Sequence, residues 1–188
     1  MSESQHRKTT LIYLAGFMGS GKSTIGPILA NTLGYSFADV DKVIEERVGK
    51  SVKEIFQEEG ERFFRNVERQ VIEELSAREH CVVSLGGGSI VDERNFSIVR
   101  NSGVLVYLQS SPEELLQRLK HKSDRPVLSD EEGRRLTPEQ LRERVLQLYA
   151  EREPVYTKAH LRIPTDEKRV GLTVDEIVKK LAQLKLVE

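Results

Sequence analysis

The residues from Gly16 to Ser23, GFMGSGKS, match the spacing G-x-x-x-x-G-K-[ST]. Four fixed positions coincide by chance in roughly 1 chain in 100 of this length. The setting makes the match more specific: the apolar run Leu11-Ile12-Tyr13-Leu14-Ala15 comes directly before it and a helical pattern directly after. The chemistry this spacing serves is the grip of a polyphosphate. Glycines let the chain curl until successive N–H groups face one anion. The helix starting near Lys22 adds the positive end of its dipole. Gly19, Ser20, Gly21, Lys22, Ser23 and Thr24 are therefore the candidate phosphate contacts. Lys22 can reach β- and γ-phosphate oxygens, and the Ser23 hydroxyl can ligate Mg²⁺. Gly49-Lys50-Ser51 repeats the tail of the pattern, but Ile44 stands where its leading glycine belongs. That segment reads as a helix break with a cap.

Two acids follow. Asp39-Val40-Asp41 comes after the short segment Tyr35–Ala38. Side chains at i and i+2 of a strand point to one side, so both carboxylates are expected together beyond a strand's carboxyl end. One can hold Mg²⁺ through water. The other can orient an acceptor hydroxyl beside the γ-phosphate and take its proton. Aspartate also caps helices well, and one acid can serve both purposes. Further along, Gly86-Gly87-Gly88 ends another apolar run. It is not a dinucleotide fingerprint, which would need glycine where Val91 stands. His6, His80, His121 and His160 show no ligand spacing. The single cysteine, Cys81, excludes an internal disulfide and a Cys-rich zinc site.

The elements that must position these groups follow from the alternation of short apolar and longer amphipathic runs. Strands are expected at Leu11–Ala15, Tyr35–Ala38, Cys81–Leu85, Val104–Leu108 and Leu161–Pro164. Helices are expected from Lys22 to Leu33, across about 40–77 with breaks near Gly49 and Gly60, and from Asp92 to Asn101. Others start at Ser111-Pro112 and at Thr137-Pro138, the latter running to about Glu151, with a last one from Thr173 to Leu184. Ser51 with Glu54 forms a capping-box pattern. Such alternation implies a parallel sheet with helices on both faces, and ligands beyond the carboxyl ends of its strands. The stretch 121–136 is polar and unpatterned, and suits a mobile lid carrying Arg125.

The chain has 188 residues, 38% hydrophobic and 31% charged, the proportions of one globular domain. Its net charge of −1 argues against general binding to nucleic acid or anionic membranes. The polar N-terminus has no signal-peptide core, and the nearly apolar stretch Leu11–Gly19 is short of the roughly 18 residues a membrane span needs. A cytoplasmic location is the expectation.

With these features in view, the chain resembles the shikimate kinases. GFMGSGKSTIG, FADVD, IFQEEGERFFR, SLGGGS, DRPVL and EREPVY occur in that family's order between Gly16 and Tyr156. The resemblance implies a three-layer α/β/α fold of the P-loop nucleoside-triphosphate hydrolase and nucleoside monophosphate kinase kind. It implies a five-stranded parallel sheet, one domain over 1–188, a substrate-binding helical region at about 40–77 and a mobile lid at about 121–136. It also implies ATP and Mg²⁺, the acceptor shikimate, transfer to its 3-hydroxyl, and a monomer. Carried over by residue, Asp41 would meet the ring hydroxyls and act as base, while Asp39 would help Ser23 hold Mg²⁺. Arg65 and Arg152 would clamp the substrate carboxylate, and Gly86, Gly87 and Gly88 would let backbone approach the ring. Phe56 and Phe64 could wall it. Lys22 and the lid residue Arg125 would act on the phosphates, Arg118 would stack on adenine and Lys168 would flank it.

Arginine suits that task because its fork grips a carboxylate with two parallel hydrogen bonds. Arg65 and Arg152 would otherwise form ion pairs with nearby glutamates. Two other functions fit the phosphate loop: a kinase of another polyol acid such as gluconate, and a nucleotide-binding protein without turnover.

Overall fold

The computed structural model describes residues 10–120, 134 and 136–184. Five strands, β1 (Leu11–Ala15), β2 (Ser36–Asp39), β3 (Cys81–Ser84), β4 (Val104–Gln109) and β5 (Leu161–Pro164), form one sheet in the order β2-β3-β1-β4-β5. Every neighbouring pair is parallel. The eight helices among the described residues are α1 (Lys22–Leu33), α2 (Val40–Val48), α3 (Val52–Glu58), α4 (Gly60–Leu75), α5 (Glu93–Ser102), α6 (Pro112–Leu119), α7 (Pro138–Tyr156) and α8 (Val170–Gln183). The expected α/β/α sandwich with a five-stranded parallel sheet is what forms.

Strand alternation divides the core. Leu11, Tyr13 and Ala15 face one layer with Val83, Leu105 and Tyr107, packed by Val71 and Ile72 of α4. Ile12 and Leu14 face the other with Val82, Val106 and Leu108, packed by Leu29 of α1 and Ile177 of α8. A third cluster, Phe17, Met18, Leu115, Leu119, Val145 and Leu148, joins the segment after β1 to α6 and α7. β1 is thus central, and the loop it feeds is pinned from beneath.

Local signals account for most boundaries. Ser51 and Glu54 form the expected capping box at α3, and Asp92 caps α5 through the amides of Arg94 and Asn95. The helical stretch after β2 breaks at Gly49 and at Gly60, both with positive φ. Several boundaries depart from expectation. β2 begins at Ser36 because the Tyr35 amide still donates to Ala30 O, 2.8 Å away, finishing α1. α7 continues through Pro154 to Tyr156, whose ring stacks on Tyr107 of β4. α8 begins at Val170 and not at Thr173.

Asp39 and Asp41 are not two residues of one strand end. Asp39 closes β2 and caps α2, accepting from the Asp41 and Lys42 amides, so Asp41 stands in the first helical turn. The cap brings the acids together, and strand alternation does not.

Two glycines test the packing. A Cβ on Gly103 would lie 2.5 Å from Leu11 O and 2.9 Å from the Tyr13 ring. A backbone oxygen of the central strand cannot move aside. Gly103→Ala should therefore cost about 1–3 kcal/mol. Gly171, inside α8, has nothing within 4 Å of that position, and Gly171→Ala should gain about 0.5–1 kcal/mol of helix propensity. Urea midpoints measure both; equal shifts would contradict this packing.

Candidate functional site

The loop from Gly16 to Gly21 joins β1 to α1 in a turn closed by Ser20 N to Phe17 O at 3.1 Å. Gly16 lies where β1 presses on β4: an added Cβ would stand 2.6 Å from Leu108 O. Gly21 has φ of 100° and caps α1 without a side-chain bond, and no acid occupies that helix's first turn. The positive end of α1 is therefore not neutralised by its own side chains. Lys22 is buried and its Nζ donates to Gly16 O at 2.7 Å and Phe17 O at 3.0 Å, crossing the loop it serves. The Ser20 Oγ is buried without a protein partner.

Ser23, one residue on, donates to Asp39 Oδ2 at 3.4 Å, while Asp39 Oδ1 is held by the α2 amides. The hydroxyl and carboxylate are hard oxygen donors at the edge of the phosphate loop. That set fits Mg²⁺, which takes one or two protein ligands and fills its shell with water and phosphate. Among the described residues no group of three or more His, Cys, Asp or Glu gathers as a metal cage.

The acceptor side is built around the glycines after β3. A Cβ on Gly86 would lie 3.1 Å from Glu68 Oε1 and 3.2 Å from Asp41 Oδ1, so both carboxylates converge on that backbone. Glu68 is 1% exposed. It accepts from Arg65 Nη1 at 2.8 Å and from Ser89 Oγ at 2.6 Å. Asn95 in turn donates to Ser89 O at 2.9 Å. Arg65 also reaches Glu61 at 3.1 Å, but that glutamate is 64% exposed and the contact is weak in water. From α7, Arg152, itself 8% exposed, donates to Gly87 O at 3.0 Å and lies over the Phe17 ring. Phe56 and Phe64 pack at 4.8 Å between ring centroids.

On the far side of the loop, Arg118 of α6 donates to Gly19 O at 3.3 Å and Thr165 O at 3.2 Å, and pairs with Glu114. Thr165 is bonded to Ser110 at 2.6 Å, so the ends of β4 and β5 are tied beneath Arg118. Lys168 pairs with Glu176 at 2.7 Å.

One cavity of about 480 Å³ runs along this surface, within the range of small-molecule sites. Gly19 to Thr24, Asp39, Asp41, Phe56, Phe64, Arg65, Gly86 to Gly88, Arg118, Arg152 and Lys168 all line it. Arg125 and nearly all of the expected lid lie outside the described residues. Sequence reasoning overlooked Glu68, although its spacing of three from Arg65 on a helix offered a signal. It also overlooked Ser89, Asn95 and Thr165, whose roles depend on contacts distant in the chain. Arg65 does pair with glutamates, the arrangement set against a substrate clamp, and its main partner, Glu68, is buried.

Comparison with known proteins agrees with this architecture. The family described as Shikimate kinase matches residues 18–182. The shikimate kinase of Chlorobaculum tepidum is 49% identical over 172 residues, 92% of this chain and 90% of the relative. That of Prosthecochloris aestuarii is 48% identical over 175 residues, 93% and 89% of the two chains. The solved shikimate kinase of Acinetobacter baumannii, in complex with shikimate, superimposes with a TM-score of 0.86 at 34% identity, over 95% and 96% of the two chains. A gluconokinase from Sinorhizobium meliloti superimposes at 0.59 with 19% identity, covering 95% of each chain, a likeness of fold alone.

The buried Glu68 carboxyl is raised above its ordinary value of 4.5 by loss of water, with Arg65 and Ser89 opposing. Between those two values the folded chain holds more protons than the unfolded one. This group's contribution is present at acidic pH and is lost as pH climbs through the raised pKa. Glu68→Gln cannot titrate. The unfolding free energy of the wild type minus that of Glu68→Gln should therefore fall as pH rises above 4.5, followed by urea unfolding across pH. A flat or rising difference would contradict the burial argument.

Proposed function

The chain belongs to the shikimate kinase family, which transfers the γ-phosphoryl group of ATP to the 3-hydroxyl of shikimate, and we propose how its own residues divide that work. The observation that supports the division is a single cavity lined by Lys22 and Ser23 and also by Asp41, Arg65 and Arg152. Donor and acceptor would thus share one cavity, as an in-line transfer requires.

At the nucleotide end, the amides of Gly19 to Thr24 and the Lys22 ammonium hold the phosphates. Lys22 leaves the carbonyls of Gly16 and Phe17 for stronger acceptors, the charged phosphate oxygens. Ser23 and Asp39 would hold Mg²⁺ at the edge of the loop, and the ion would supply positive charge against the phosphates. Arg118 frames the base, with Lys168 beyond it. Arg125, outside the described residues, is assigned to the phosphates by the family resemblance alone.

At the acceptor end, Arg65 and Arg152 take the carboxylate from two helices. Arg65 exchanges its weak bond to exposed Glu61 for the substrate and keeps its bond to buried Glu68. Two arginines on separate elements fix the orientation of a carboxylate, and a neutral polyol gives them no charge to hold. The Gly86 to Gly88 backbone and the Phe56 and Phe64 rings border the carbocycle. Asp41 orients the acceptor hydroxyl and takes its proton as the new O–P bond forms.

In this reading α2 to α4 form the substrate-binding region of one domain over 1–188, acting as a cytoplasmic monomer without nucleic acid or membrane partners. The net charge of −1 supports the last point. Among the described residues no helix is long and apolar enough to cross a membrane.

Offered shikimate, gluconate and quinate with ATP, the protein should phosphorylate shikimate; turnover of gluconate alone would overturn the acceptor assignment. Asp41→Asn should bind ATP normally by calorimetry while turnover falls by about 100-fold or more. Near-normal turnover would remove Asp41 from the base role.

A further inference from the structure

Tyr149, Arg152 and Tyr156 recur at i, i+3 and i+7, so α7 presents them on one face. The Tyr156 ring is 1% exposed and stacks on Tyr107 of β4 at 5.1 Å and 30°. Its hydroxyl donates to Gly87 O, the same carbonyl that accepts Arg152 Nη1 at 3.0 Å. A carbonyl oxygen has two lone pairs, and α7 occupies both.

We propose that Tyr156 is a positioning residue: by holding the Gly87 carbonyl, it sets the orientation of the triple-glycine loop for the acceptor and leaves Arg152 able to turn toward the substrate carboxylate. This rests on the reading of Gly86 to Gly88 and Arg152 as the acceptor subsite. Three consecutive glycines have little intrinsic preference; turn bonds from Ser89 N to Gly86 O and from Val91 N to Gly88 O use the outer two carbonyls, and the Gly87 carbonyl is held by donors from outside the loop. The peptide between Gly87 and Gly88 is trans, as all are among the described residues. With its C=O directed at α7, its N–H is directed the opposite way. Gly88 sits beside the other clamp residue, since a Cβ there would lie 3.1 Å from Arg65 Nη2. Rotation of this peptide would therefore shift the backbone beside Arg65 and loosen Arg152 together.

Tyr156 is placed to prevent that rotation independently of Arg152. Its ring is anchored on a central strand, whereas Arg152 must be free to rearrange when an anion arrives. Burial pushes its phenol up to about 12, so it stays a donor at any ordinary assay pH. The last turn of α7 follows Pro154, which supplies no amide to the helix. The stack and the Gly87 bond hold that turn down.

Tyr156→Phe deletes one oxygen and keeps the ring. It should raise KM for shikimate on the order of 3- to 10-fold, the loss of one hydrogen bond's influence on a bound state. KM for ATP and the melting temperature should stay nearly unchanged. Tyr107→Phe removes a hydroxyl that bonds Tyr149 and not Gly87, and should leave both KM values as they are. An unchanged shikimate KM in Tyr156→Phe, an equal rise for both substrates, or an equal rise in Tyr107→Phe would overturn the proposal. Arg152→Ala, assayed alongside, separates the two levels. If it leaves shikimate KM unaltered, the acceptor-site reading itself fails. If it raises KM while Tyr156→Phe does not, only the role of Tyr156 is lost.

Discussion

A loop that offers its amides to an anion has to be held by something other than those amides. Here the hold comes from burying Phe17 and Met18 against Leu115, Leu119, Val145 and Leu148. Each is a side chain of ordinary apolar burial, and fully burying one such residue is worth about 1.5–3 kcal/mol. The loop's glycines supply the curvature, but its apolar residues supply the position. Because those residues rest on α6 and α7, the phosphate seat is referenced to the helices that carry Arg118 and Arg152. The remaining site geometry follows from that placement: Lys22 spans the loop, Ser23 meets Asp39, and the cavity opens between them.

The acceptor side answers a different constraint, an anion bound beside acids. Asp41 and Glu68 both approach Gly86, and an anionic substrate brought there meets repulsion. The arrangement is tolerable because the charges are graded by exposure. Glu68 is sealed, paired with Arg65 and bonded by Ser89, so little of its field is left uncompensated. Breaking that pair from one side would leave a charge uncompensated in low dielectric, commonly a loss of about 3–5 kcal/mol. Glu61 is in water and gives way easily. A chain with net charge −1 can therefore carry a strongly polarised cavity, since overall balance says nothing about how charges are distributed.

Much of this was legible from residues alone because the relevant signals are local. The phosphate loop is contiguous, and its strand and helix flanks are short apolar and periodic runs. The capping box at Ser51 and the cap at Asp92 are spacings of two or three residues. The two aspartates show a subtler case. Strand alternation predicts that they share a side, and a helix cap is what brings them there. The right neighbours emerged from the wrong geometry, because the boundary between β2 and α2 falls between them. Glu68, Ser89 and Asn95 were hidden for the opposite reason. Their importance lies in a chain of contacts from α5 through the glycine turn to α4, and no periodicity records which buried polar atoms will meet.

α7 illustrates how tertiary packing overrides a local stop signal. Proline at position 154 removes an amide, and sequence rules end the helix near Glu151. The chain nevertheless stays helical to Tyr156, because the side chains of little more than one further turn find partners in the interior. Tyr156 reaches Tyr107 on the strand beside β1, and Arg152 reaches both the Phe17 ring and the Gly87 carbonyl. Had α7 ended at Glu151, Arg152 would sit in a loop, with its guanidinium free to wander over a long flexible stem. Held on a helix and capped by an aromatic stack, the same side chain loses little further entropy on meeting a carboxylate. The helix's extension past proline is thus the structural condition for an arginine that binds an anion in one orientation.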